Sequence, residues 1–171
     1  MLKKLLFSFA FILLLSGNSF SQPYNTGIGV RFGGIMSGIT VRHFVSERGA
    51  FEGLASFGRH AFMVTGMYES FHGFPNAEGL NWFFGGGAHI GFFDEDYRYD
   101  YFYHKHHNKN DNDVFEDGDE QFSFGGDFII GLDYKFKNTP INLSLDVKPM
   151  IDFVPGLYGY WEGALSVRFT L

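Results

Sequence analysis

From Pro23 onward, apolar and polar side chains alternate in short runs, and no stretch there is long and apolar enough to make a membrane-spanning helix. A repeat of two is the repeat of a β-strand, whose successive side chains point to opposite faces. A chain made of such runs, separated by turns rich in Gly, Pro and polar residues, satisfies its backbone by pairing strand with strand. The pattern therefore predicts an all-β fold. Composition agrees: 23 Phe, 9 Tyr and 23 Gly dominate a chain of 171 residues, a length that suits one domain.

Eight strands are predicted. They cover about Asn25 to Gly33, Ser37 to Val45, Ala50 to Phe57, Ala61 to Ser70, Leu80 to Phe92, Gln121 to Tyr134, Ile141 to Ile151 and Tyr160 to Leu171. Ser46-Glu47-Arg48-Gly49, Phe71 to Gly79, Lys137-Asn138-Thr139-Pro140 and Pro155-Gly156 read as turns. An even strand count returns the chain to the side on which it started.

One face of these strands is Ile, Val, Leu and Phe. The other carries Gly, Ser, Thr, Asn and charges of both signs. A soluble barrel would turn the apolar set inward. A lumen lined by Arg31, Arg42, Glu52, Glu69, Asp127, Asp146, Glu162 and Arg168 fits the opposite arrangement, a barrel with its apolar face in lipid. Eight strands leave no water channel, so side chains fill the tube and opposite charges neutralise one another. Glycines on the inner face, as in Phe32-Gly33-Gly34 and Phe84-Gly85-Gly86-Gly87, make room for larger neighbours. Neither run is a nucleotide loop, since no helix follows and no Lys-Ser or Lys-Thr completes it. Tyr24, Tyr68, Trp82 and Tyr134 fall toward one end of this topology, and Tyr158, Tyr160 and Trp161 toward the other, as interfacial aromatics do.

The first 21 residues read as a secretory leader. Lys3 and Lys4 supply positive charge, Leu5 to Leu15 an apolar core broken only by Ser8, and Ser19 and Ser21 the small residues of a cleavage site before Gln22. The mature domain is then 22–171. There is no Cys, so stability does not come from disulfides and no lipoprotein acceptor is present. A net charge of −6 argues against a nucleic-acid partner.

Residues 93–120 differ from the rest. They hold ten acidic and three basic residues, a net charge of −7 against −6 for the whole chain. This long connection is expected to face outward and to carry any specificity for ions, surfaces or partner proteins. Within it, His104, His106 and His107 could bind a transition metal with nearby carboxylates, and Asp111-Asn112-Asp113 and Asp117-Gly118-Asp119-Glu120 could bind Ca²⁺, although neither group has a recognised ligand spacing. A solvated acidic loop is the simpler expectation, with no cofactor.

The strand pattern resembles the small outer-membrane β-barrels of Gram-negative bacteria, the OmpX/OmpA type. The resemblance rests on Gly27-Ile28-Gly29-Val30-Arg31-Phe32-Gly33-Gly34, on Gly79 to Gly87, and on the ending Gly163-Ala164-Leu165-Ser166-Val167-Arg168-Phe169-Thr170-Leu171. It implies an eight-stranded antiparallel up-and-down transmembrane barrel in the outer membrane. It also implies contact with outer-membrane lipid and with the barrel-insertion machinery that reads a terminal strand. The terminal signal usually ends in an aromatic; here Leu171 ends the chain and Phe169 shares its face. No catalytic residue is carried over, and a non-enzymatic structural or surface role is expected. Two alternatives stand beside it. A soluble exported barrel would bind an apolar ligand in an apolar lumen. A lipid-modifying barrel enzyme would need His89 beside a carboxylate such as Asp127, with a hydroxyl, in a cleft open to lipid.

Overall fold

The computed structural model describes residues 25–59, 61–94 and 120–171. The leader 1–21, Tyr24, and the loop candidates His104, His106, His107, Asp111 and Asp113 lie outside the described residues. Eight strands follow in chain order: β1 (Thr26–Gly33), β2 (Ser37–Phe44), β3 (Gly49–Gly58), β4 (Ala61–Phe74), β5 (Ala77–Asp94), β6 (Glu120–Lys135), β7 (Ile141–Val154) and β8 (Tyr158–Thr170). Each pairs antiparallel with the next, and β8 returns to β1, so the sheet is a closed up-and-down barrel. Residues 45–48, 75–76 and 136–140 connect strands at one end, called here the turn end. Residues 34–36, 59–60, 95–119 and 155–157 connect them at the other, the loop end.

The register is staggered. Starting at Gly27, the pairing runs through Arg42, Glu52, Met67, Gly87, Asp127, Met150 and Tyr160. Continued onto β1 it arrives beyond Gly33, because Gly33 itself pairs Ala164. A ring that closes one strand-length higher than it began requires tilted strands.

The faces separate cleanly. Phe32, Phe51, Phe57, Phe128, Leu145, Trp161 and Phe169 are exposed on the outside, with Phe128 at 72 % and Trp161 at 70 %. Arg31, Arg42, Glu52, Lys148 and Arg168 are buried inside at no more than 1 %. The soluble alternative needs the reverse arrangement. Near the loop end, Phe57, Phe62, Phe92 and Phe122 stand side by side on four consecutive strands. Toward the turn end, His72, Trp82 and Phe84 stack, and Tyr134 meets Phe136 edge to face. Tyr160 departs from the expected aromatic belt: its hydroxyl turns inward and donates to Asp152.

The β4–β5 connection is tighter than the sequence suggests. Phe71 to Gly79 was expected to be one turn, but the strands run on to Phe74 and resume at Ala77, leaving Pro75 and Asn76. The reason is in the lumen. Phe71 faces inward and stacks on Phe83 with centroids 5.1 Å apart, which extends the pairing past Ser70. A register shift at Gly73/Phe74 and Gly79 at φ 85° absorb the irregularity, the latter in the left-handed region that favours glycine.

Two apolar clusters occupy the lumen. Ala50, Leu54, Met67, Phe71, Phe83 and Ile129 form one, with Phe44 against it toward the turn end. Met36, Met63 and Met150 form the other at the loop end. Charged groups lie between and beside them. Luminal glycines set the clearances. A Cβ on Gly87 would fall on the Gly66 carbonyl oxygen, and one on Gly125 would meet the His89 ring. Outward-facing Gly66 has open space. Gly87→Ala and Gly125→Ala should therefore destabilise the barrel by about 1–3 kcal/mol through overpacking. Gly66→Ala should stay within about 0.5 kcal/mol. Urea unfolding of the three variants in the same lipid checks the ranking, and equal midpoints would contradict the packing described.

Candidate functional site: the charged lumen

Alternation along eight strands delivers the charged side chains to one narrow space, and closure makes them find partners there. Arg42 is the hub of the first group. Its Nη2 lies 2.9 Å from Glu52 Oε2, its Nη1 2.8 Å from Asp133 Oδ1 and its Nε 2.8 Å from Glu69 Oε2. Its guanidinium also sits 5.0 Å from the ring centroids of Phe71 and Phe83, so the hub rests on the turn-side apolar cluster. Arg168 pairs with Glu52 Oε1, donates from Nη1 to Ser144 Oγ at 2.6 Å, and donates from Nε to Thr40 Oγ1 at 3.0 Å. Thr40 donates its hydroxyl proton to Glu52, and Asn142 donates to Asp133 Oδ2 at 2.8 Å. Glu52 is thus held by two arginines and a hydroxyl.

The second group is Arg31 with Asp146 and Glu162. Arg31 makes a two-pronged bond to Asp146, with both distances 2.7 Å. Glu162 Oε2 lies 3.8 Å from Arg31 Nη2, while Oε1 accepts the backbone N–H of Ile35 at 3.1 Å and of Met36 at 2.8 Å. One carboxylate thereby ties the β1–β2 connection to the inside of the barrel.

The third group centres on His89. Its Nδ1 is 2.7 Å from Asp127 Oδ2 and its Nε2 is 2.8 Å from Asp152 Oδ1. Lys148 Nζ donates to Asp127 Oδ1 at 3.2 Å, and the Tyr160 hydroxyl donates to Asp152 Oδ1 at 3.2 Å. Both ring nitrogens therefore face carboxylate oxygens at hydrogen-bond distance, and the ring's tautomer sets which of them donates.

All eight charges singled out in the sequence lie inside the barrel: Arg31, Arg42, Glu52, Glu69, Asp127, Asp146, Glu162 and Arg168. Three more join them. Asp133 and Lys148 were legible as polar-face residues of their strands, though not as members of the network. Asp152 lies one residue past the expected end of the seventh strand, and the longer β7 brings it inward. Among the described residues, no group of three or more His, Asp or Glu side chains is disposed to hold a metal ion.

His89 and Asp127 do approach each other, which the sequence left open. The wider geometry required of a lipid-modifying enzyme is only partly present. His89 has a side-chain exposure of 0 %, and both ring nitrogens face carboxylates. Thr65 is opposite His89 in register, but its buried Oγ1 makes no hydrogen bond within the described residues. A base needs a ring nitrogen within reach of the proton it removes.

A closed antiparallel eight-stranded barrel with a charged lumen and an apolar exterior is the architecture of outer-membrane-type barrels. The N-terminal β-barrel domain of Pseudomonas aeruginosa OprF, known from a crystal structure, is similar in fold. The TM-score is 0.63 at 14% sequence identity, over 85% of this chain and 96% of that one. No protein-family model matches the chain, and no curated protein matches it.

The Arg42 hub yields a testable asymmetry. Arg42→Met strands Glu52, Glu69 and Asp133 without their shared cation and should lower stability by about 3–5 kcal/mol. Glu69→Gln should cost far less. Glu69 makes one close contact to the hub, and its other charged neighbour is a second carboxylate, Glu52, so removing its charge relieves a repulsion as well as losing an attraction. Urea titration in lipid measures both; a Glu69→Gln loss as large as that of Arg42→Met would show that the hub is misassigned.

Proposed function

We propose that this chain is an outer-membrane protein of the OmpX/OmpA type, exported with a leader of residues 1–21 and non-enzymatic in itself. Its barrel is a stable mount in the lipid, and the acidic segment between β5 and β6 contacts ions, surfaces or partner proteins. The observation that carries this reading is the inversion of the wall. Aromatic and aliphatic side chains cover the outside while arginines and carboxylates fill the inside. Such an exterior is stable only when lipid covers it.

On this reading the turn end is periplasmic and the loop end external. That assignment follows from the long connection, because barrels of this class have short periplasmic turns and longer outer loops. The charged lumen is then a filling that holds the mount rigid, and β5 and β6, the longest strands at 18 and 16 residues, carry the acidic segment.

Fractionation of native cells tests the proposal. The protein should sediment with the outer membrane and migrate differently on a gel before and after boiling, as a closed barrel does. Protease added to intact cells should cut within 95–119 and leave the barrel fragments membrane-bound. Recovery as a soluble periplasmic protein would overturn the reading, and full protection from external protease would reverse the orientation. A variant lacking residues 95–119 should keep the boiling-dependent shift while losing any surface or ion binding of the parent.

A further inference from the structure

Near the loop end of the lumen, methionines from three separate parts of the chain meet in one cluster. Met36 belongs to the β1–β2 connection, Met63 to β4 and Met150 to β7. All three are buried in one cluster, with Ile35, Ala61, Phe93 and Tyr160 packed against it. From this convergence we propose that the cluster is a binding site for a soft monovalent metal ion, Cu(I) or Ag(I), held by the three thioether sulfurs.

Thioethers are poor ligands for hard cations and good ones for Cu(I), so donor type alone defines the class of ion. The distribution of methionine strengthens the case. The described chain has one other methionine, Met67, and it lies in the turn-side cluster with Leu54, Phe71 and Phe83. The lipid-facing wall is built from Phe, Ile, Val and Leu instead. Unbranched thioether side chains also have the rotational freedom to gather around an ion without moving the backbone.

The surroundings favour a cation. Tyr160, which packs on the methionines, is bonded to Asp152. The amide of Met36 itself is bonded to Glu162. Asp127, Asp146, Asp152 and Glu162 lie on this side of the lumen, against Arg31, Lys148 and the His89 ring. Their carboxylate oxygens are already engaged with these groups and with backbone N–H. They supply negative potential, while the sulfurs supply the coordination. The site also adjoins Phe93 near the end of β5, so an ion arriving from the loop end has little barrel to cross.

The test uses the full chain refolded in detergent, with boiling-dependent migration as the check on folding. Wild type, Met67→Leu and the double variant Met63→Leu/Met150→Leu are equilibrated with Ag(I), desalted, and their bound silver counted by mass spectrometry. Met→Leu nearly conserves volume, so folding should be retained. His104, His106 and His107 are present in every variant, and any silver they hold cancels in the comparison. The expected result is one equivalent of silver fewer on the double variant than on wild type or Met67→Leu. Anaerobic competition with a Cu(I) chelator should show roughly a ten-fold or greater loss of affinity in the double variant alone. Equal silver on all three proteins, or an equal loss in Met67→Leu, would overturn the site and leave the methionines as packing. If the double variant does not fold, Met36→Leu is read by the same count, since Met36 lies in a connection and its replacement spares the strands.

Discussion

Pairing of β8 onto β1, from Gly27–Thr170 to Gly33–Ala164, removes both edges of the sheet and fixes the width of the tube. The ladders around the ring then pair most of the wall's backbone within the wall, which is what lipid demands of a spanning sheet. The same closure creates the main difficulty. An eight-stranded tube has room for side chains and none for bulk water, so whatever points inward is cut off from solvent. Large inner residues have to be matched by glycines opposite or beside them. That is why Gly125 lies against His89, and Gly131 against Phe83.

The inner face could have been apolar throughout, as in a soluble barrel, but both faces would then be apolar along every strand. Such a chain would carry long hydrophobic runs. Charges on the inner face keep mean hydropathy near −0.06 and break those runs. Once the ring closes, each charge must meet its opposite, because an isolated buried ion is far more unfavourable than a paired one. The Arg42–Glu52–Glu69–Asp133 and Arg31–Asp146–Glu162 groups meet that requirement. They are weak evidence of net stabilisation, since buried ion pairs often only offset their own desolvation. Their stronger effect is on register: a slip of one residue would send Arg31, Arg42 and Arg168 into lipid.

Much of this was legible beforehand because a period of two is a one-dimensional signal. The number of strands and the inward set from Arg31 to Arg168 follow from alternation alone. Alternation fails where apolar residues occupy both faces. In β4, Met63, Met67 and Phe71 point inward beside outward Phe62, Val64 and Tyr68. The lumen's apolar clusters were therefore invisible in the sequence, and Phe71 was assigned to a turn. Strand ends were the other blind spot, since a strand stops where its partner stops. Asp152 fell past an expected end and was missed. Partner identity was hidden for a further reason. Sequence shows that His89 and Asp127 share a face, but their contact depends on the register across a long connection. That register pairs His89 with Gly125 and Gly87 with Asp127, putting the two side chains on a diagonal.

The two ends of the barrel are built differently, and this bears on where activity can reside. At the turn end, connections are short, and Lys135 closes one of them by donating to the carbonyls of Phe136 and Thr139. At the loop end, the lumen holds the β1–β2 connection from below, through Glu162 on the amides of Ile35 and Met36, and Tyr160 of β8 donates to Asp152 of β7 beside it. Below the rim, His89 of β5 and Asp127 of β6 join the same charge network. A fold shared with OprF at 14% identity says little about function, because such barrels differ mainly in what they carry. On the function proposed above, the outer wall is given to lipid contact and most of the lumen to its own ion pairs, which leaves the loop end for specificity.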